Sequence, residues 1–191
     1  MSNNTESAIS LGKPTLPLSG LRAYGFQASL IGAAVILPVV AHLSGAPVRY
    51  ILPMHWPVII AGLVYGWRGG AMTGFLAPIV SYSLSGFPSP SILPSMTLEL
   101  LTYGFLTGFL RERTDLSPFL SVAIALLAGR VVFMAAVFFG NVVTTNHLEY
   151  FQVALLPGLI AAACQIALLP LLSKWWIRQD RDTGESMRRE S

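Results

Sequence analysis

Residues 53–86, PMHWPVIIAGLVYGWRGGAMTGFLAPIVSYSLSG, hold two apolar runs parted only by Gly66-Trp67-Arg68-Gly69-Gly70. Glycines flanking a polar residue read as a tight turn, so this stretch predicts two consecutive helices, over 54–67 and 69–86. The first holds about 14 residues, against about 20 for a full membrane crossing, so it is short, tilted or partly re-entrant. Working outward, four more apolar runs lie near 24–44, 91–110, 118–140 and 151–173. Open strands cannot satisfy their backbone in lipid, so helices are the economical choice.

Composition agrees. The chain has 191 residues, 53% hydrophobic and only 11% charged, against about 25% charged in soluble domains. So few charges cannot cover a soluble surface, and the natural solvent is a lipid bilayer. The single cysteine, Cys164, excludes an internal disulfide. The net charge of +3 is not a nucleic-acid signature, because the cations sort by loop. With a cytoplasmic N-terminus and six spans, Lys13, Arg22, Arg68, Arg111, Arg113, Lys174, Arg178, Arg181, Arg188 and Arg189 are cytoplasmic and only Arg49 is external. Ten against one is a strong positive-inside bias, and five or seven spans would put the tail cluster on the wrong side. The expected fold is an all-α integral membrane protein: a six-transmembrane-helix bundle with both termini cytoplasmic. Residues 1–20 form a polar N-terminal segment without a signal-peptide core, 21–177 the membrane domain, and 178–191 a charged tail expected to be disordered.

Two ionisable residues lie deep in this apolar chain: Glu99 and Arg130. A charge at the centre of a span costs at least about 2.5–3.5 kcal/mol on insertion scales, so it needs a partner or a wet cavity. On the expected topology Glu99 lies roughly 12 Å and Arg130 roughly 15 Å below the outer surface, on neighbouring antiparallel helices. Ser95, Thr102 and Tyr103 share a helical face with Glu99, and Arg130, Met134, Val137 and Asn141 form a stripe leading outward. Two readings stand: a structural ion pair between helices, or contact with a ligand, Arg130 through its planar fork of donors.

His55 and Trp56 begin the second span, where Trp is a common interfacial anchor. His55 suits ligand hydrogen bonding or helix capping; no second His stands at a metal-ligand spacing, so no metal is expected. Tyr82, Phe87, Asn141, Asn146, His147 and Tyr150 lie near the external side, and aromatic plus amide groups suit a small planar molecule. Prolines at 53, 57, 88, 90 and 94 stiffen the outer loops. In the first span, Ala28 with Gly32 and Ser29 with Ala33 form small-residue faces that permit close helix approach. Enzymatic signatures are missing: there is no Gly-x-Ser-x-Gly, His-Glu-x-x-His or phosphate-binding loop. No catalytic residue and no cofactor is expected, and active transport must draw its energy from a partner or a gradient.

The stretch 53–111 resembles the substrate-binding S components of energy-coupling factor (ECF) transporters. The resemblance is carried by Pro53-Met54-His55-x-Pro57-Val58, the turn region from Gly62 to Gly74, the Pro-rich loop 86–94, and Glu99-Leu-x-x-Tyr103-Gly104. It covers most of the hydrophobic chain, its motifs confined to the central stretch. It implies a six-helix protein of a bacterial or archaeal cytoplasmic membrane that binds a vitamin or similar micronutrient from outside. It also implies partners, namely a transmembrane coupling protein and two cytoplasmic ATPases. By the same resemblance Ala28, Ser29, Gly32 and Ala33 would meet the coupling protein, with Gly and Ser standing at positions where the family carries Ala. The pocket would lie on the external side between the later helices, where Glu99, Arg130, His55, Trp56, Tyr82, Tyr103 and Asn141 are the candidate substrate contacts. The family is thought to topple in the membrane, which needs a lipid-facing surface nearly free of charge. Alternatives are a membrane scaffold of similar fold and a solitary carrier using Glu99 as its proton site.

Overall fold

A computed structural model describes residues 15–140, 142 and 147–190. Asn141 and Asn146 fall outside the described residues, as does the side chain of His147. The elements are α1 (Leu21–Leu43), α2 (Val48–Ile51), α3 (His55–Ser85), α4 (Leu93–Arg113), α5 (Pro118–Phe139) and α6 (His147–Glu190). By length and composition, three segments among the described residues can cross a membrane: Leu21–Leu43, Pro118–Phe139 and Glu149–Asp180.

The turn expected in the opening stretch occurs, and it is tighter than the sequence suggests. Gly66 alone leaves helical geometry, at φ 70° and ψ −166°, and the chain doubles back on it. A side chain at Gly70 would meet the Cα of Gly62 at 2.8 Å, whereas eight residues of straight helix span about 12 Å. Segments 55–65 (α3a) and 67–85 (α3b) thus form a helical hairpin with a one-residue hinge. Left-handed φ favours glycine, and a Cβ at Gly66 would also strike the Glu112 side chain.

Beside the hinge, α3b and α4 pack through glycines. Gly70 and Gly104 touch backbone to backbone, and Gly74 lies on the Leu100 carbonyl. Small residues at four-residue spacing allow this approach, which supplies dispersion contacts where lipid offers no hydrophobic drive. The core closes over this seam with Val58, Ile59, Leu63, Leu100, Tyr103, Val122 and Leu169. The exterior is apolar: Leu43, Leu84, Phe139 and Leu156 are all more than 60% exposed. Apolar patches of this extent do not face water in soluble monomers; this is a membrane protein.

Local signals mark the helix ends. The Ser117 hydroxyl accepts from the Leu120 amide at 3.3 Å, ahead of Pro118, which is a preferred start because proline lacks the N–H that would be orphaned there. Gly86, at φ 73°, closes α3 with its N–H on the Tyr82 carbonyl. Pro38, Pro78, Pro157 and Pro170 lie within helices.

One end of the bundle gathers the cations. The Leu16 N–H donates to the Val64 carbonyl at 2.7 Å, Phe26 stacks on Trp176 at 3.9 Å, and Arg22 pairs with Asp180 at 3.3 Å. These contacts bring the start of α1, the α3 hinge and the far part of α6 together, with Arg68 over the Trp67 ring. A groove of about 890 Å³ lies there, lined by Leu16, Tyr24, Tyr65, Arg68, Glu112 and Arg113 among others. The charged tail differs from expectation. Instead of ending near 173, α6 runs on to Glu190, because a helix already nucleated by packing propagates cheaply through Arg, Gln, Glu and Met.

Candidate functional site

Three helices converge on one oxygen. Glu99 stands in the second turn of α4, 2% exposed, on the buried face with Ser95 and Tyr103. One turn on, the Tyr103 hydroxyl donates to Glu99 Oε1 at 2.6 Å. From α5, Arg130 Nη1 reaches the same oxygen at 3.1 Å. From the start of α3a, His55 Nε2 lies 3.9 Å away, too far for a hydrogen bond, while its ring sits 5.2 Å from that of Tyr103. The carboxylate thus has a cation and a hydroxyl, the usual resolution for a charge taken out of water.

Two glycines make room for this cluster. A Cβ at Gly129 on α5 would collide with the Tyr103 ring. A Cβ at Gly158 on α6 would stand 3.1 Å from Arg130 Nη2. The guanidinium also lies 5.6 Å over the Phe133 ring, a stacking arginine tolerates well. Its side chain stays 18% exposed, against 3% for Glu99.

That exposure opens into a cavity of about 230 Å³ between α5 and α6. Its walls are largely apolar, from Leu126, Leu127, Leu155, Leu159 and Ile166, and its polar lining comes from His55, Tyr103, Arg130 and Gln165. Gln165 is fully buried, and neither its amide nitrogen nor its oxygen has a hydrogen-bond partner. Both ring nitrogens of His55 likewise lack one. Buried polar groups are nearly always satisfied, so four unpaired atoms on two residues of one apolar cavity make it the candidate site. Among the described residues, no group of three or more His, Cys, Asp or Glu could hold a metal ion.

The structure therefore brings together Glu99, Arg130, His55 and Tyr103. The other sequence candidates among the described residues lie elsewhere. Trp56 spends its indole N–H on the Ile51 carbonyl at 2.9 Å, bracing α2 against α3. Tyr82 is 36% exposed near the end of α3b and does not line the cavity. Thr102, expected on the Glu99 face, instead donates to the Leu98 carbonyl of its own helix at 2.7 Å. Ala28 and Ser29 are exposed, Gly32 and Ala33 half-buried, and a Cβ at Gly32 would meet nothing within 4 Å. Sequence reasoning missed Gln165. Its signal was available, a carboxamide inside AACQIALLP, but attention to charge passed over a neutral amide. Gln27 was missed likewise: buried on α1, it donates to the Gly69 carbonyl at 2.8 Å and to Thr73 at 2.6 Å.

Comparison with known proteins adds one finding. The family model described as ECF transporter, substrate-specific component, matches residues 26–174. No curated protein and no solved structure matches the chain.

Proposed function

The chain belongs to the family of ECF transporter substrate-specific components, and from that premise we propose that it captures a vitamin or related micronutrient on the external side of a bacterial or archaeal cytoplasmic membrane. It hands that cargo inward in company with a transmembrane coupling protein and two cytoplasmic ATPases. The observation that carries the reading is the cavity between α5 and α6, where Arg130, His55, Tyr103 and Gln165 meet apolar walls. A mostly apolar concavity with a few convergent polar groups is what a small-molecule site requires.

Six crossings with both termini cytoplasmic fit this role: α1, α3a, α3b, α4, α5 and α6. Support comes from the ten-to-one sorting of Lys and Arg, and from the contacts that bind Arg22, the hinge and α6 at one end. The cavity lies toward the opposite end, because Leu52 and His55, which precede α3a, line it. Lipid-facing surface without deep charge suits a subunit that reorients in the membrane.

Small molecules retained by the purified protein, identified by mass spectrometry, test the proposal. Wild type should carry a water-soluble vitamin or precursor. Glu99→Gln and Arg130→Ala should each deplete it at least about tenfold, the loss of one charge-assisted hydrogen bond, with membrane levels near normal. Loss of expression in both variants, with retention unchanged in the protein that remains, would mark Glu99 and Arg130 as a purely structural pair.

A further inference from the structure

The same cavity constrains the chemistry of what it holds, and the constraint, which rests on the binding reading above, starts from charge. Glu99 and Arg130 contribute one negative and one positive charge, in contact at 3.1 Å. Glu99 occupies Nη1 of Arg130, so an anionic ligand reaching for the remaining N–H groups would meet a guanidinium whose charge is already offset, and a cationic one would meet the guanidinium itself. His55 Nε2 stands 3.9 Å from the carboxylate, beyond hydrogen-bond distance. Arg130 lines the cavity and Glu99 stands behind it, so the pair brings no net charge to the site.

The groups without partners then specify the complement. Gln165 presents an N–H donor and a C=O acceptor side by side, both unpaired and fully buried. Two adjacent groups of opposite sense are matched by an edge of the same kind in a ligand. The geometry points to an uncharged ligand whose recognised edge is an amide, lactam or cyclic urea, with Gln165 as the residue that selects it. A charged carboxylate or ammonium would leave one Gln165 atom unpaired, and a site built to hydrogen-bond a group rejects analogues that lack it. The cavity of about 230 Å³ exceeds the roughly 150 Å³ of an apolar cavity that holds benzene, so one ring with a compact head group fits.

Benzamide, benzoate, benzylamine and toluene make a matched probe set, the same ring with a neutral amide, an anion, a cation and no head group. Each is titrated against the full chain in lipid nanodiscs, with the thermal midpoint as readout. Benzamide should bind at least about tenfold more tightly than benzoate or benzylamine. Gln165→Leu should cut benzamide binding at least about fivefold and leave toluene unchanged. Gln165→Met, closer in volume and flexibility, repeats the comparison should the leucine variant fail to fold. Benzoate or benzylamine equalling benzamide would overturn the uncharged class. Benzamide binding unchanged in both variants would remove Gln165 from selection. If no probe binds while a retained molecule is still lost in Glu99→Gln, the amide inference falls and the transport reading stands. If retention too is indifferent to Glu99 and Arg130, the transport reading falls with it.

Discussion

At the residue scale, the central question is what Glu99 and Arg130 do for each other. Removing one member of a buried pair leaves the other uncompensated, at a cost of about 3–5 kcal/mol, whereas replacing both with matched uncharged groups is often neutral. Tyr103 shares the same oxygen, so Glu99 keeps one hydrogen bond when Arg130 is lost. We expect Arg130→Leu to lower the thermal midpoint clearly, and Glu99→Gln combined with Arg130→Leu to recover most of it. Ligand retention should stay low in the double variant. Recovery of both stability and retention would show that the pair only supports the walls. The two charges were legible in sequence because an ionised group in an apolar run stands out by type alone. That two neighbouring helices could bring them together was legible too, and the 3.1 Å contact shows that they meet. His55 was not legible as their neighbour: 44 residues separate it from Glu99, and only the folding back of α3a brings its ring to Tyr103.

At the element scale, the α3 hairpin and its seam with α4 hold the site in register. Glu99 and Tyr103 directly precede Leu100 and Gly104, the α4 residues on which Gly74 and Gly70 lie, so any widening of the seam moves them. Gly104→Ala would drive a methyl into the Gly70 carbonyl. Overpacking of this kind costs roughly 1–3 kcal/mol or more; we expect a broadened or lost monodisperse peak in detergent size-exclusion chromatography. Gly25→Ala on α1, where a Cβ meets nothing within 4 Å, should behave as wild type. Equal behaviour of the two variants would refute the seam. The turn was visible in the glycines around Trp67-Arg68, since few other arrangements use such a cluster. That Gly66 alone would carry the reversal, with the seam falling on Gly70 and Gly104, depends on how two helices pack, which local sequence does not encode.

At the scale of the whole molecule, α1 offers a face the bundle leaves uncovered. Its inner side is fixed by Leu30, Ala34 and the Gln27 tie to α3b, while Ala28 and Ser29 point away. On the proposed role this small-residue face meets the coupling protein. Ala28→Leu and Gly32→Leu should then reduce ATP-driven uptake at least about tenfold, with ligand retention by the isolated protein and its thermal midpoint unchanged. Such separation is expected because close helix approach tolerates only small side chains, whereas the cavity lies among α5, α6 and the start of α3a. Equal loss of uptake and retention would sink the docking face. Uptake that persists without the ATPases and collapses with a protonophore would favour a solitary carrier.

The sequence by itself determined the solvent, the helical class, the positions of the apolar segments and the identity of the deep charges. Each of these follows from residue type and spacing: lipid demands apolar side chains and internally satisfied backbone, whatever the helices later do to one another. Only the tertiary structure decided that α5 and α6 part around a cavity, and that Gln165 and His55 face it unpaired while Trp56 and Thr102 turn to backbone carbonyls. Partnership of a polar group is a property of its neighbours in space, and those neighbours come from helices far apart in the chain.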